Sequence, residues 1–343
     1  VISLETLSLS KNKDSFLNEF SQLASNLNKD KNPFPMSKAT CLHLLNTFPE
    51  TEKELWLVKD GEKFVGRLCA NTTKAKENCG YFGFFEVDLS HVDFENISKI
   101  LFEAAFSWFK NKNVTEIYGP ISLNVWMNYR YITTDSQPYS WEPSQPIQYI
   151  SILNKMGLKL DQGYVSKFFL EGETSMKLSL ERTKPHYDKI VAMGFKFRQI
   201  NPSDPKEPSI LYKLNLNAFK GNYLFEPISQ SQYEATHIKA ILGQDLKYSL
   251  FIISPDGREL GYLYTFIDQG LIVVKSILTQ DDQQGAGFAS ALLHESFLRA
   301  KADGFVNGVG ATLRKGNISE KFFNYMGPNS KEHEYYLFHK SLK

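Results

Sequence analysis

Two stretches of the chain share one pattern of apolar and polar positions. Residues 55–70, LWLVKDGEKFVGRLCA, and residues 250–266, LFIISPDGRELGYLYTF, each run from an apolar segment into Asp-Gly. A short polar stretch, a glycine and a second apolar segment come next in both. Asp-Gly between two such segments predicts a β-hairpin, because glycine takes the positive φ that a tight turn needs. The segments after the two hairpins are parallel as well. In the first half, an aromatic strand (80–88, GYFGFFEVD) leads into a helix over about 94–112, whose Ile97, Leu101, Ala104, Ala105, Trp108 and Phe109 recur at helical spacing. A strand over 114–118 and the break Gly119-Pro120 come next. In the second half, LIVVKSIL (271–278) leads through a glycine-containing loop into a helix over about 287–302, then a strand over 305–311. Each half then has a helix ending at a glycine (147–158 and 317–327) and a closing strand (164–170 and 335–339). The pattern predicts an α/β (α+β) chain of two like domains, 1–172 and 173–343. Each is expected to be a mixed, mainly antiparallel sheet flanked by helices.

Composition narrows the class. A chain of 343 residues fits two domains better than one. A net charge of +1 speaks against a nucleic-acid binder, which carries a basic excess. No stretch is long and apolar enough to span a bilayer, and the first residues lack the basic start and apolar block of a signal peptide. Cys41, Cys69 and Cys79 are odd in number and without metal-ligand spacing, which fits reduced thiols in a cytoplasm. The histidines form no ligand pair, so no metal is expected.

The loop DDQQGAGFASALLHESF (281–297) carries the candidate chemistry. A loop entering a helix presents several N–H groups with no partner inside the helix, and the helix dipole adds positive potential. A diphosphate docks there without a basic side chain. GAGFAS also begins like a dinucleotide fingerprint, but that fold needs further strand–helix units and only one helix and two strands remain. A glycine-rich helix start that binds nothing is the plain alternative. The element order, together with Gln284, Gly285, Ala286, Gly287, Phe288 and Ala289, resembles the GCN5-related N-acetyltransferase (GNAT) superfamily and its Gln/Arg-x-x-Gly-x-Gly/Ala motif. FGFFE near 84, YGPIS near 120 and GNYLFEPIS (221–229) are similar to a group of bacterial tandem GNAT proteins. That likeness is patchy but runs along nearly the whole chain.

The resemblance implies two GNAT-like domains and an acyl-CoA-dependent N-acyltransferase, with acetyl-CoA or another acyl-CoA as co-substrate. The acceptor would be an amine of a small molecule or peptide, acted on by a cytoplasmic monomer or homodimer without nucleic-acid or membrane partners. It places the coenzyme A pyrophosphate on residues 284–289 and the pantetheine or thioester carbonyl on main-chain groups of Ile277 and Leu278. Asn317, where the family often has an Asn near the cofactor, also reads as a helix N-cap, with Glu320 three residues on completing a capping box. The family's general-acid Tyr position, four residues before Gly327, holds Phe323 here. Ser319 or a water is the substitute; Tyr325 is near but on another helix face. Glu259, in the second hairpin, and Asp268, at the end of its second strand, are the candidate bases, both of a type more often solvated. Glu86, Asn124 and Asn128, in polar aromatic stretches of the first half, are candidate substrate contacts, with Trp126 and Arg130 beside them. The first half has DLSHVD where its own cradle belongs, and Asp88 and Asp93 there suit helix capping and repel a pyrophosphate. The first domain is therefore expected to lack a coenzyme A seat. Two other readings stay open: a catalytically inactive protein that binds CoA or another ligand, and an aminoacyl-transferase with two GNAT-like halves.

Overall fold

The computed structural model describes residues 1–280 and 285–343. In chain order the first elements are β1 (Ile2–Thr6), α1 (Lys13–Asn26), α2 (Lys38–Thr47), β2 (Lys53–Asp60), β3 (Lys63–Thr72), β4 (Cys79–Val87), α3 (Phe94–Asn111), β5 (Glu116–Gly119), β6 (Tyr131–Ile132), α4 (Gln148–Lys155) and β7 (Lys159–Phe169). Then come α5 (Glu173–Ala192), β8 (Lys196–Gln199), α6 (Glu207–Phe219), α7 (Gln230–Tyr233), a π-helical turn (Glu234–Ile238) and α8 (Lys239–Ile241). The chain ends with β9 (Leu250–Ile253), β10 (Glu259–Asp268), β11 (Leu271–Thr279), α9 (Phe288–Ala302), β12 (Asn307–Arg314), α10 (Ile318–Met326) and β13 (Lys331–Ser341).

The chain divides into two compact units. The first comprises residues 1–163, 223–226 and 334–343, and the second residues 164–222 and 227–333. The sequence boundary at 172/173 cuts differently, and the closing strands explain why. In the first unit the strand order is β1-β2-β3-β4-β5-β13, with β4 and β5 parallel and the other pairs antiparallel. In the second it is β8-β9-β10-β11-β12-β7, with β11 and β12 parallel and the rest antiparallel. The sequence pattern assigns each half its own last strand, 164–170 or 335–339. Instead residues 338–341 pair with β5, and residues 164–169 pair with β12.

Local chemistry sets the elements of each unit. The Asp60-Gly61 turn closes β2 on β3 with Gly61 at φ +56°. The second turn, between β9 and β10, holds Gly257 at φ +88°. In the first unit α3 buries Ile97, Leu101, Ala105 and Phe109, spaced so that they share one face over β3 and β4. Phe109 approaches so closely that a Cβ at Gly80 would lie 2.3 Å from its ring. In the second unit α9 buries Ala291, Leu292, Leu293, Phe297 and Ala300 over Leu263, Ile272 and Val274. α5 lies along α9, with Thr183 and His294 sharing a hydrogen bond of 2.8 Å and Tyr187 donating to Glu295 at 2.9 Å. Among the described residues no helix is long and apolar enough to cross a membrane. The three cysteines are free and buried, and burial pushes the Cys69 thiol well above its ordinary range.

Candidate functional site

In the second unit β11 pairs with β12 only from Leu271↔Asn307 to Val274↔Gly310. Beyond Val274 the two strands part. Residues 276–279 keep their pairing with β10 alone, as Ser276↔Tyr264, Ile277↔Leu263, Leu278↔Tyr262 and Thr279↔Gly261. The register slips at the parting point, since Tyr264 faces Ser276 and Thr265 faces Val274. Lys275 is the extra residue of a β-bulge, the device that re-aims side chains beside active sites. β12 is irregular at the same level: its register on β7 shifts between Gly310 and Leu313, and Thr312 has φ +53°. A wedge thus opens between two parallel strands, and Ile277 and Leu278 lie on its β11 edge.

The loop beyond β11 leads to α9. Gln284 lies outside the described residues. Gly285 has φ +83° and is exposed, and Gly287, the N-cap of α9, has φ +93°. Side chains other than glycine's are disfavoured there. A Cβ at Gly285 would meet no heavy atom within 4 Å, whereas one at Gly287 would lie 2.7 Å from Nδ1 of His186 on α5. Ala286 and Ala289 are half-buried. Phe288 is buried and packs on Phe195 with ring centroids 5.0 Å apart, so its side chain anchors the helix. With no acidic side chain in 285–289, this helix start suits a diphosphate.

The other candidates of the second unit are held as follows. Asn317 caps α10 by accepting from the Glu320 N–H at 3.1 Å. Glu320 reaches the Gly316 N–H at 2.7 Å rather than that of Asn317, so the expected capping box is displaced by one residue. Ser319 donates to Asn317 Oδ1 at 2.7 Å and serves the cap. Phe323 is buried against Gly310, where a Cβ would lie 2.5 Å from its ring. Tyr325 is exposed beneath the Arg182 guanidinium, 5.4 Å from the ring centroid. Glu259 is ion-paired with Arg198 at 3.2 Å, and Arg198 also binds Glu207. Asp268 ends β10 next to Leu271, where β11 begins, away from the opening of the wedge.

Sequence reasoning missed a polar network on the other face of this sheet. Tyr262 and Tyr264 alternate with Leu263 and so point away from α9. Tyr262 donates to Asn215 Oδ1 at 2.9 Å, and Asn215 Nδ2 donates to the Tyr233 hydroxyl at 2.8 Å. The Tyr-x-Tyr alternation in β10 was the available signal, but it reads as an ordinary half-buried strand.

The first unit closes the equivalent wedge. β4 and β5 pair over Cys79↔Glu116 to Tyr81↔Tyr118. The chain then turns through the cis Gly119-Pro120 bond, and the Ile121 N–H donates to the Phe82 carbonyl at 2.7 Å. A Cβ at Gly83 would lie 2.3 Å from the Ile121 carbonyl oxygen, so backbone fills this gap. At the far end of β4, the Tyr149 hydroxyl accepts from the Val87 N–H at 3.1 Å and donates to Glu86 at 2.8 Å. Glu86 is buried beside Arg67, with 3.9 Å between charged atoms. Arg67 is 1% exposed, donates to the Phe20 carbonyl at 2.6 Å and lies over the Phe20 ring. Asn124 accepts from the Trp126 N–H at 3.0 Å and shapes a turn, while Asn128 is exposed and its carbonyl accepts from Ser122. Asp93 makes no side-chain cap to α3, contrary to expectation. Asp88 instead accepts from Ser90 and from Lys63 at 2.6 Å. Burial raises the Asp88 carboxyl, but these partners outweigh it and hold it below the ordinary range.

Burial raises the Glu86 carboxyl, and Arg67 and Tyr149 only partly oppose the rise. The folded state therefore keeps this proton to higher pH than the unfolded chain does. Stability from this group is full below the ordinary glutamate range and is lost as pH climbs towards the raised folded value. We expect Glu86→Gln to flatten the fall of the urea midpoint across that window. An unchanged slope would assign the pH dependence to another group.

Among the described residues no group of three or more His, Cys, Asp or Glu is placed to hold a metal ion. No protein-family model matches the sequence. The chain is 22% identical over 216 residues to Protein YghO of Escherichia coli K12, a match that spans 60% of this chain and about half (52%) of that protein. Solved structures resemble it along its whole length. A tandem GNAT protein from the clavulanic acid biosynthesis pathway, solved without AcCoA, matches with a TM-score of 0.59 and 14% identity over 99% of this chain and 98% of that one. A probable N-acyltransferase from Enterococcus faecalis V583 matches at 0.57 and 9% identity over 100% and 72%. A GCN5-related N-acetyltransferase from Kribbella flavida matches at 0.54 and 9% identity over 99% and 72%. The chain has the tandem GNAT fold.

Proposed function

We propose that the protein is an acyl-CoA-dependent N-acyltransferase whose one coenzyme A seat lies in the second unit. The observation that carries this reading is the wedge between β11 and β12, open beyond Val274↔Gly310 and continuous in sequence with the glycine-cornered start of α9. Main-chain groups of Ile277 and Leu278 on the wedge edge would hold the pantetheine and thioester carbonyl. The backbone N–H groups at 285–289 would hold the pyrophosphate. When bound, acyl-CoA supplies an activated carbonyl, and the chain's part is to orient it, polarise it and manage protons. The first unit, with its wedge filled by Ile121 and Ser122 and the Val87 N–H taken by Tyr149, would act as a structural partner.

The substrate class is an amine, acetyl the simplest acyl group. Free thiol released from acetyl-CoA with a panel of primary amines tests the activity. A second reading, a protein that binds CoA without turnover, is favoured by the buried Phe323 at the family's acid position. Tight acetyl-CoA binding with no amine-dependent thiol release across the panel would select it.

A further inference from the structure

Amine acylation needs a proton for the departing sulfur, and the α10 side of the wedge offers none. Phe323 lies against Gly310, Tyr325 is exposed under Arg182 and Ser319 is engaged with Asn317. On the opposite face, Tyr264 sits across from Ser276, the first β11 residue beyond the bulge where β11 leaves β12. Residues directly opposite in an antiparallel pair share a face, with Cβ atoms about 4.5–5.5 Å apart. Ser276 therefore stands on the edge of the wedge, with Tyr264 beside it on the same face of the sheet. Tyr262 and Tyr233 are buried and tied to Asn215. Tyr264 is only half-buried, and its hydroxyl forms no hydrogen bond with another described residue. Its ring is steadied by Phe266, with centroids 5.7 Å apart.

We infer that the Tyr264 hydroxyl is the general acid of this site, replacing the acid lost at Phe323. The inference rests on the reading of the second unit as an acyl-CoA site. The amine nitrogen attacks the thioester carbonyl carbon, a C–N bond forms and the C–S bond breaks. The sulfur takes the phenol proton, and the proton lost by the amine returns to the tyrosinate through solvent. Burial pushes the Tyr264 phenol up to about 12, so it holds its proton at neutral pH.

The test uses the full chain. Tyr264→Phe should bind acetyl-CoA within about twofold of wild type by calorimetry, and its amine-dependent thiol release should fall by roughly 10²–10⁴-fold. Tyr262→Phe should leave release within about fivefold. Independently of turnover, 3-fluorotyrosine placed at 264 should show a fluorine resonance that shifts on saturation with acetyl-CoA. Turnover of Tyr264→Phe at the wild-type rate overturns the inference. So does an unmoved fluorine resonance in protein shown to bind acetyl-CoA. Absence of acetyl-CoA binding to wild type fails the acyl-CoA reading itself, and is distinguished by the same calorimetry.

Discussion

We expect Gly285→Glu and Gly287→Glu each to weaken acetyl-CoA binding by about 100-fold or more. A carboxylate placed on the helix start would face the pyrophosphate of the proposed seat, and like charges brought together cost several kcal/mol. That is two or more decades in Kd. The two variants differ in what else they disturb. At Gly287 the new Cβ meets His186 at 2.7 Å, and φ +93° adds backbone strain, so lost binding there could accompany lost structure. At Gly285 the Cβ enters open space, and the cost of the left-handed conformation is about 1–2 kcal/mol. Gly285→Glu therefore isolates the charge, and Gly285→Ala controls for the strain. If Gly285→Glu binds acetyl-CoA as Gly285→Ala does, the helix start is not the phosphate seat.

Removing the Arg67 guanidinium is expected to destabilise the first unit by about 3–5 kcal/mol at neutral pH, the usual cost of leaving a buried charge without its partner. Arg67→Leu leaves Glu86 buried, with Tyr149 as its remaining hydrogen-bond donor, and leaves the Phe20 carbonyl without its donor. The loss shrinks as pH falls and Glu86 takes up its proton. Arg67→Leu with Glu86→Leu should recover much of it, because a buried pair replaced by apolar side chains is often neutral. Urea denaturation of the full chain reads both effects. A single variant that loses under about 1 kcal/mol, or a double variant as unstable as the sum of the singles, contradicts this account of the pair.

How far these features were legible in sequence depends on the range of the interaction that makes them. α3 and α9 could be read because each buries one face, and Ile97, Leu101, Ala105 and Phe109 print that face at helical spacing. The hairpins were legible in Asp60-Gly61 and Asp256-Gly257, where the turn is chosen by two residues. The closing strands were not. Nothing local in 164–169 or 338–341 says whether β12 or β5 will be its neighbour, since pairing between distant strands rests on register and packing along whole edges. Glu86 reads in sequence as a residue offered to a substrate, and its buried partner Arg67 lies nineteen positions earlier in a strand that reads as apolar. Tyr264 was hidden for the opposite reason. Its significance comes from the bulge at Lys275 and from the filling of the Phe323 position, and neither shows in the β10 sequence.

The central claim is one coenzyme A seat in a chain that carries the GNAT fold twice, and the stoichiometry of acetyl-CoA binding tests it most directly. Calorimetric titration of the full chain is expected to give one saturable site per chain, lost in Gly285→Glu. Two sites, no site, or one site indifferent to Gly285→Glu would contradict it.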